Sequence, residues 1–276
     1  MPRWCLGVKV VDSATQDIEI PGPHGPVPAR LYRPEAPSGE GLVWVHGGSF
    51  IAGSLDMNEA NWVAMVLALR GITVLSLDYR KALDGVRFPV PSDDVLAGWR
   101  WAVENRRALA VSDDRLHLGG ASAGGALACG VSMRLRDSGE GLPRSIVLAY
   151  PLLHPQSPAP SAELVEKTAT LPRRQRFLPD DVLAMSANYA AGRASDAYAF
   201  PGNDAGDRLP PILIVNSDRD DLRGSGEEFA RQVLAAGGSV RSSFEPGSTH
   251  GHLDRPGEPE GQRTLDTMSR WILQRE

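Results

Sequence analysis

The sequence predicts an α/β fold in which a mostly parallel sheet is flanked by helices. Short apolar runs alternate with helical patterns along the chain, which is typical of βαβ units. The chain has 276 residues, 42% of them hydrophobic, and can therefore fill a large core. No internal repeat or low-complexity tract interrupts the alternation, so we expect a single domain over residues 1–276.

Eight strands and the helices between them can be placed from these patterns. Strands are predicted at residues 17–20, 27–32, 42–45, 72–77, 115–121, 146–149, 212–215 and 240–244. Five helices are predicted. The first covers residues 61–69, the second has Ser92 as its N-cap and runs through Val103, and the third follows Ser122 directly. The other two cover residues 180–191 and the stretch from Leu265 to Ile272. The first two strands flank a Pro/Gly-rich turn and are expected to form an antiparallel pair at one edge.

The alternation stops between the sixth and seventh strands. Residues 152–195 are too many for an ordinary connection, which takes only a few residues. The segment carries enough apolar residues to pack, so we interpret it as a cap insertion over the carboxyl edge of the sheet, where ligands bind in open α/β folds. A disordered surface insertion is the alternative.

Composition limits the classes of partner. The formal net charge is −5, and the charges are interspersed, so neither a basic stripe for nucleic acid nor a polybasic segment for a membrane is present. Cys5 and Cys129 form no disulfide framework, and Cys129 is expected in the core. The first residues turn polar early, and no apolar run reaches about 18 residues. We therefore expect a cytoplasmic protein whose partner is a small molecule.

The stretch around Ser122 has the features of a nucleophile elbow. Such a turn places a serine between a strand and a helix, where side chains two residues away on either side must be nearly absent. Gly120 and Gly124 occupy those positions. The free N–H groups of the following helix would point at whatever Ser122 attacks. Because the pattern G-x-S-x-G also arises by chance in small-residue turns, it needs support from other residues.

That support begins with His46-Gly47-Gly48-Ser49, which follows a buried strand. Attack on an ester carbonyl leaves a negatively charged oxygen, and each rigid backbone N–H donor beside it lowers the barrier by roughly 3 kcal/mol. Glycines allow the backbone to approach the substrate closely. Isolated, the segment would be a plain glycine turn, but upstream of an elbow in the same sheet it predicts an oxyanion loop.

A serine also needs a base, and the base needs an acid. In elbow-type hydrolases these follow in the order serine, acid, histidine, which leaves His250 and His252 as candidate bases. His250 is favoured, because it lies in a loop after the last predicted strand. Asp218, Asp220 and Asp221 follow the seventh strand, and spacing does not choose among them. The histidines that precede the acid are excluded as the base: His24, His46, His117 and His154.

The chain resembles the hormone-sensitive-lipase-like branch of the α/β-hydrolases, which are bacterial carboxylesterases with an HGGG loop. The matching segments are HGGSF, DYR, FPVPSDDVLAGWRWA, LHLGGASAGG, AYP, DDLRGSGEEFA and PGSTHGH. The resemblance implies the α/β-hydrolase fold with a cap after the sixth strand and activity on short acyl esters without a cofactor. The family's D-P-L-R-D segment places the acid at Asp220, and its oxyanion donors correspond to the backbone of Gly48, Ser49 and Ala123.

Three departures from the family pattern stand out. Ser49 replaces the last glycine of HGGG and adds a side chain that would narrow or polarise the acyl site. Ala121 replaces the acidic residue before the nucleophile, so a polar contact behind the elbow is expected to be missing. Little more than residues 1–15 precedes the first strand, whereas many relatives build half of the cap from a longer leader. We therefore expect a more open pocket that the insertion covers alone.

The sequence accordingly predicts a serine carboxylesterase with Ser122 as nucleophile, His250 as base and Asp220 as the orienting acid. An amidase, lactonase or peptidase could use the same triad, and a ligand receptor on the same fold is a further alternative. A receptor would normally lack one member of the triad, and none is missing here. The natural ester, the acyl-length limit, the stereochemical preference and the oligomeric state, a homodimer included, stay open.

Overall fold

The computed structural model describes residues 15–204 and 207–274. The strands are β1 (Thr15–Ile20), β2 (Val27–Tyr32), β3 (Gly41–Val45), β4 (Thr73–Leu77), β5 (Leu116–Ala121), β6 (Ile146–Ala149), β7 (Ile212–Arg219) and β8 (Val240–Thr249). The helices are α1 (Asn58–Leu69), α2 (Val90–Asn105), α3 (Ala123–Ser138), α4 (Ala162–Ala169), α5 (Pro179–Ala190), α6 (Arg223–Ala235) and α7 (Pro259–Ile272). Cys5 and nearly all of the short leader lie outside the described residues.

The strands form one eight-stranded sheet in the order β1-β2-β4-β3-β5-β6-β7-β8. β2 pairs antiparallel with β1 and β4, and the strands from β4 to β8 run parallel, so the predicted mostly parallel sheet is confirmed. Val45 is the register partner of Gly120, and Ala121 that of Ala149. The carboxyl ends of β3, β5 and β6 therefore meet at one edge, together with the residues that follow them.

Helices cover both faces of the sheet because its central strands are apolar on both sides. Alternate residues of β3 separate two cores: Trp44 packs with α1 and α7, whereas Val43 packs with α2 and α3. Cys129 of α3 is fully buried, as predicted, and burial raises the pKa of its thiol. None of the described helices is long and apolar enough to span a membrane.

The predicted start of α2 and the predicted ends of β7 and β8 are wrong. Ser92 does not cap α2, since the helix begins at Val90 and has Pro89 at its N-cap, with a further proline in its first turn. Proline suits that first turn because it lacks the N–H that would go unpaired there. The Ser92 hydroxyl instead accepts a hydrogen bond from Arg134. β7 and β8 also continue past their predicted ends, because the two strands keep pairing through an irregularity at residues 217–219.

The insertion between β6 and β7 contains α4, a short 3-10 helix and α5. Ser161 caps α4 by accepting a hydrogen bond from the Leu164 amide, and Pro179 opens α5. The insertion contacts the end of β7 and the segment between β4 and α2. Lys167 of α4 pairs with Asp218 of β7, and the Phe88 amide donates to the carbonyl of Tyr189 in α5.

Candidate active site

Ser122 lies at the turn between β5 and α3 in a backbone conformation that is rare for serine, with φ 52° and ψ −119°. The Ser122 amide donates to the carbonyl of Ala149, and its own carbonyl accepts from Gly125 and Leu152. A Cβ atom on Gly120 or Gly124 would collide with backbone atoms of neighbouring segments. The two glycines therefore provide the space that this turn requires.

The structure brings Ser122, His250 and Asp220 together. The Ser122 Oγ lies 2.9 Å from His250 Nε2, and His250 Nδ1 lies 2.6 Å from Asp220 Oδ2. The other oxygen of Asp220 accepts a hydrogen bond from the Leu222 amide at 3.0 Å, which fixes the carboxylate. Asp220 is fully buried, whereas Ser122 retains 7% exposure. A hydroxyl, an imidazole and a carboxylate thus form one hydrogen-bonded series that opens to solvent at the hydroxyl.

The surroundings of His250 favour its protonated form. Burial alone lowers the pKa of the imidazole, but the adjacent Asp220 carboxylate outweighs burial through its charge and its hydrogen bond. The pKa of His250 therefore lies above its ordinary value. The rings of Tyr150 and Phe177 pack edge-on against the imidazole, with centroids 5.0 Å and 4.5 Å away. These contacts hold the ring in the orientation that both hydrogen bonds need.

The alternative candidates have other partners. The fully buried His252 is hydrogen-bonded to Ser217 and Thr264, at 2.9 Å and 2.7 Å. Asp218 lies in β7, where it pairs with Lys167 and accepts the Gly247 amide. Neither residue makes a hydrogen bond to Ser122 or to His250 in the described structure. Of the sequence candidates, His250 and Asp220 are the pair that the fold places beside the serine.

Asp221 binds the cap instead of a histidine. Its carboxylate accepts two hydrogen bonds from the Arg176 guanidinium, at 2.8 Å and 2.9 Å, and one from the Phe177 amide at 2.9 Å. Because Phe177 contacts His250, Asp221 connects the loop that carries Asp220 to the part of the insertion that packs on His250. We call the set Asp221, Arg176 and Phe177 the cap latch.

The segment from His46 to Phe50 forms a tight loop after β3. Gly48 has a φ of 110°, which favours glycine, and Ser49 and Phe50 also have positive φ values of 54° and 64°. The Gly48 carbonyl accepts from Ile51 and Ala52, which closes the turn. Within the described chain, the backbone N–H groups of Gly48 and Ser49 have no protein acceptor. They are free to bind an oxygen atom.

The third predicted oxyanion donor lies on α3. Ala123 is the first residue of that helix, where backbone N–H groups have no acceptor inside the helix. The helix dipole adds partial positive charge at the same end. The predicted donors thus lie on two backbone segments next to Ser122. Gly48 and Ser49 belong to the loop after β3, and Ala123 begins α3.

Three aromatic residues in and just after the insertion have different environments. The Tyr189 ring is fully buried and stacks on Phe50 with a centroid distance of 3.9 Å. Tyr198 donates its hydroxyl to Asp137 on the outside of α3. Phe177 is the one of the three whose ring contacts His250.

A model of the α/β-hydrolase fold family matches residues 42–254. The chain belongs to this family. Strands β4 to β8, all but the first residue of β3, and the elbow at Ser122 lie within the matched range, and the predicted resemblance to the hormone-sensitive-lipase-like branch is confirmed. This α/β-hydrolase is similar to an ethyl acetate hydrolase of Pseudomonas putida, with 32% identity over 231 residues that cover 81% of the chain and 70% of the relative.

Further relatives are named esterases. The α/β-hydrolase is 33% identical over 255 residues to the carboxylic ester hydrolase LipN of Mycobacterium tuberculosis, covering 86% of the chain and 64% of LipN. Among solved structures it is similar to EstE1, a thermostable carboxylesterase from a metagenomic library, with a TM-score of 0.83 and 30% identity. That alignment covers 95% of the chain and 89% of EstE1.

The sequence patterns did not indicate the contacts that two carboxylates near the site make. Glu59 lies in α1 and contacts the oxyanion loop, and Asp221 anchors the cap latch. A signal for Glu59 exists in the sequence, because it lies four residues before Val63 and eight before Leu67, on the apolar stripe of the helix. An acid on a buried stripe indicates a specific partner. Asp221 carries no comparable signal.

Proposed function

We propose that this α/β-hydrolase is a serine carboxylesterase that hydrolyses small esters with short acyl chains. Ser122 is the nucleophile, His250 the general base and then the general acid, and Asp220 the residue that orients His250. The single observation that carries the proposal is the hydrogen-bonded series from the Ser122 hydroxyl through His250 to Asp220, with distances of 2.9 Å and 2.6 Å.

The geometry supports the following sequence of steps. His250 Nε2 takes the proton of Ser122 as its Oγ bonds to the ester carbonyl carbon, while Asp220 stabilises the resulting imidazolium. The negative oxygen of the tetrahedral intermediate accepts hydrogen bonds from the N–H groups of Gly48, Ser49 and Ala123. His250 then gives its proton to the leaving alkoxide. Water repeats the sequence on the acyl-enzyme and releases the carboxylic acid and free Ser122.

The relatives support the choice of substrate class. The Pseudomonas putida relative is named for the hydrolysis of ethyl acetate, whose acyl group has two carbons, and LipN is named a carboxylic ester hydrolase. Esters also suit the site chemically, because an acyl-enzyme mechanism needs a polarised carbonyl and a leaving group that the imidazolium can protonate.

A single substitution tests the nucleophile. The wild-type protein should hydrolyse p-nitrophenyl acetate and butyrate, and Ser122→Ala should reduce kcat by a factor of at least about 1,000. A fluorophosphonate probe should label the wild-type protein and not the variant. Ser132→Ala is the matched control, since Ser132 is a buried serine in α3 whose hydroxyl donates to the Ala128 carbonyl.

Two results would contradict the proposal. Retention of most of the activity in Ser122→Ala would mean that another residue is the nucleophile, and a wild-type protein that the probe does not label would indicate a receptor. A panel of acyl esters from acetate to decanoate, with matched amides, lactones and peptides, then defines the substrate. Faster turnover of the amides, the lactones or the peptides would replace the ester assignment on the same residues.

A further inference from the structure

Glu59 is a buried carboxylate next to the candidate active site that the proposed mechanism does not use. Its side chain and backbone together are only 3% exposed. Oε2 accepts a hydrogen bond from the Gly47 amide at 2.5 Å, and Oε1 accepts one from the Tyr150 hydroxyl at 2.7 Å. Its position in the first turn of α1 suits an anion, because the helix dipole places partial positive charge at that end. Both oxygens are therefore committed to residues that flank the site.

The first of these contacts fixes the oxyanion loop. Gly47 immediately precedes Gly48, and side chains form hydrogen bonds to both its N–H group and its carbonyl. Glu59 binds the N–H group, while the carbonyl accepts hydrogen bonds from the Tyr79 hydroxyl at 3.1 Å and from His46 Nδ1 at 2.7 Å. Removing the carboxylate would leave the buried N–H group of Gly47 without a partner, and Gly47 would then be held only through its carbonyl.

The second contact reaches the base. Tyr150 follows β6, and its ring packs edge-on against His250 with a centroid distance of 5.0 Å. The hydroxyl of this buried tyrosine is oriented by Glu59. One carboxylate thus connects the loop that carries the oxyanion donors with the ring that supports the general base.

Close packing leaves little room for any other group in this position. A Cβ atom placed on Gly47 would lie 2.6 Å from Glu59 Oε2 and 3.0 Å from the Ser122 Cβ. The carboxylate therefore lies directly behind the loop that contacts the serine. Ala121, the residue before the serine, is fully buried and has only a methyl group, so the elbow strand supplies no polar side chain there.

We propose that Glu59 is a positioning residue for ester hydrolysis, which holds the oxyanion loop through Gly47 and supports His250 through Tyr150. It supplies from α1 the polar contact behind the elbow that Ala121 cannot make. This inference rests on the proposed function, because the loop and the base matter for the rate only if Ser122 attacks an ester.

The charge of Glu59 should be measurable in the pH dependence of the rate, because it acts on His250. The charged and titratable groups that act on His250 are Asp220 and Glu59, which raise its pKa, and Arg255, which lowers it. The neighbouring His252 is held neutral by burial, which lowers its pKa to about 3. Neutralising Glu59 should therefore lower the pKa of His250 and move the acid limb of the rate profile to lower pH.

Two substitutions separate charge from hydrogen bonding. Glu59→Gln keeps the shape and one acceptor, so we expect the acid limb of kcat/KM to move down by roughly half a pH unit. Glu59→Met fills the space without an acceptor, and we expect kcat for p-nitrophenyl acetate to fall by about tenfold or more, because a small displacement of the oxyanion donors is costly. KM should stay within about threefold of the wild-type value, since the substrate contacts are intact.

Glu40→Gln is the matched control, because Glu40 is equally buried but lies before β3, at the opposite edge of the sheet, beside His117. It should change thermal stability and leave the pH profile unchanged. Wild-type kcat and an unmoved acid limb in both Glu59 variants would overturn the role of Glu59, while loss of turnover in Ser122→Ala would still support the proposed function. If Glu59→Met does not fold, the pH profile of Glu59→Gln decides.

Discussion

The cap latch provides a quantitative test of how the insertion is held above the base. In the variant Asp221→Asn, the neutral amide keeps one acceptor oxygen and presents its NH2 group to donors. The wild-type carboxylate accepts three hydrogen bonds, two from Arg176 and one from the Phe177 amide. The substitution therefore removes the charge and at least one of these bonds without changing side-chain size.

The free energy that the substitution should cost follows from the partial burial of the Asp221–Arg176 pair. The side chains of Asp221 and Arg176 are 15% and 21% exposed, so the contact lies between a surface ion pair and a buried one. A hydrogen bond to a charged group contributes about 1.5–3 kcal/mol when buried, and solvent screening places this contact at the lower end. A loss of about 1.4 kcal/mol would increase the open population of the cap segment about tenfold.

Hydrogen–deuterium exchange measures that population. Peptides covering residues 171–178 include the Phe177 amide, which donates to Asp221. Their exchange should accelerate about tenfold in the variant if opening and closing are fast relative to exchange. Peptides from β5 and β6 should be unaffected, because the amides of these strands are hydrogen-bonded within the sheet.

The matched control is Glu228→Gln on α6. Arg231 makes two hydrogen bonds to Glu228, but the guanidinium is 68% exposed, so solvent screening should make the loss of this pair negligible for the cap. Exchange of the cap peptides within twofold of the wild-type rate in Asp221→Asn would refute the latch. So would an equal effect in the control.

Two further predictions concern pH. The raised pKa of His250 should place the acid limb of kcat/KM above the ordinary value of about 6.5, and Asp220→Asn should move it down; a flat profile to pH 5 would contradict the assignment. Burial lowers the pKa of His252 to about 3. Between about pH 3 and 6.5 the imidazole is therefore protonated in the unfolded state and neutral in the folded state. The contribution of His252 should therefore lower the free energy of unfolding by up to about 1.4 kcal/mol for each unit that the pH falls in this range. Measured by urea unfolding, the free energy of unfolding of His252→Gln should depend less steeply on pH than that of the wild type. Parallel slopes would exclude this effect.

Most of the fold could be predicted because its signals are local. Buried parallel strands are continuous apolar runs, and β6 was predicted to the residue at 146–149. The elbow at Ser122 was recognisable because a strained turn restricts its neighbours to small residues. The error at Ser92 arises because prolines suit the first turn of α2, which begins before that serine. The errors at the ends of β7 and β8 arise from continued pairing between the two strands, which local patterns do not encode.

The candidate site could be predicted only in part. Chain order left His250 and His252 as candidate bases, and the loop position favoured His250. The choice of Asp220 over Asp218 and Asp221 depended on family resemblance, since the three lie in one short segment. Their separation is three-dimensional: the three carboxylates bind a histidine, a lysine and an arginine, respectively. The role of Glu59 depends on packing between α1 and the loop after β3, which no sequence spacing encodes.

The stack of Tyr189 on Phe50 has a consequence for engineering this enzyme. Phe50 follows Ser49 directly, so a ring that belongs to the insertion supports the backbone from which two of the proposed oxyanion donors arise. Exchanging the insertion for that of a relative would thus alter turnover as well as substrate choice. A chimera designed to change selectivity alone should retain an aromatic side chain at position 189.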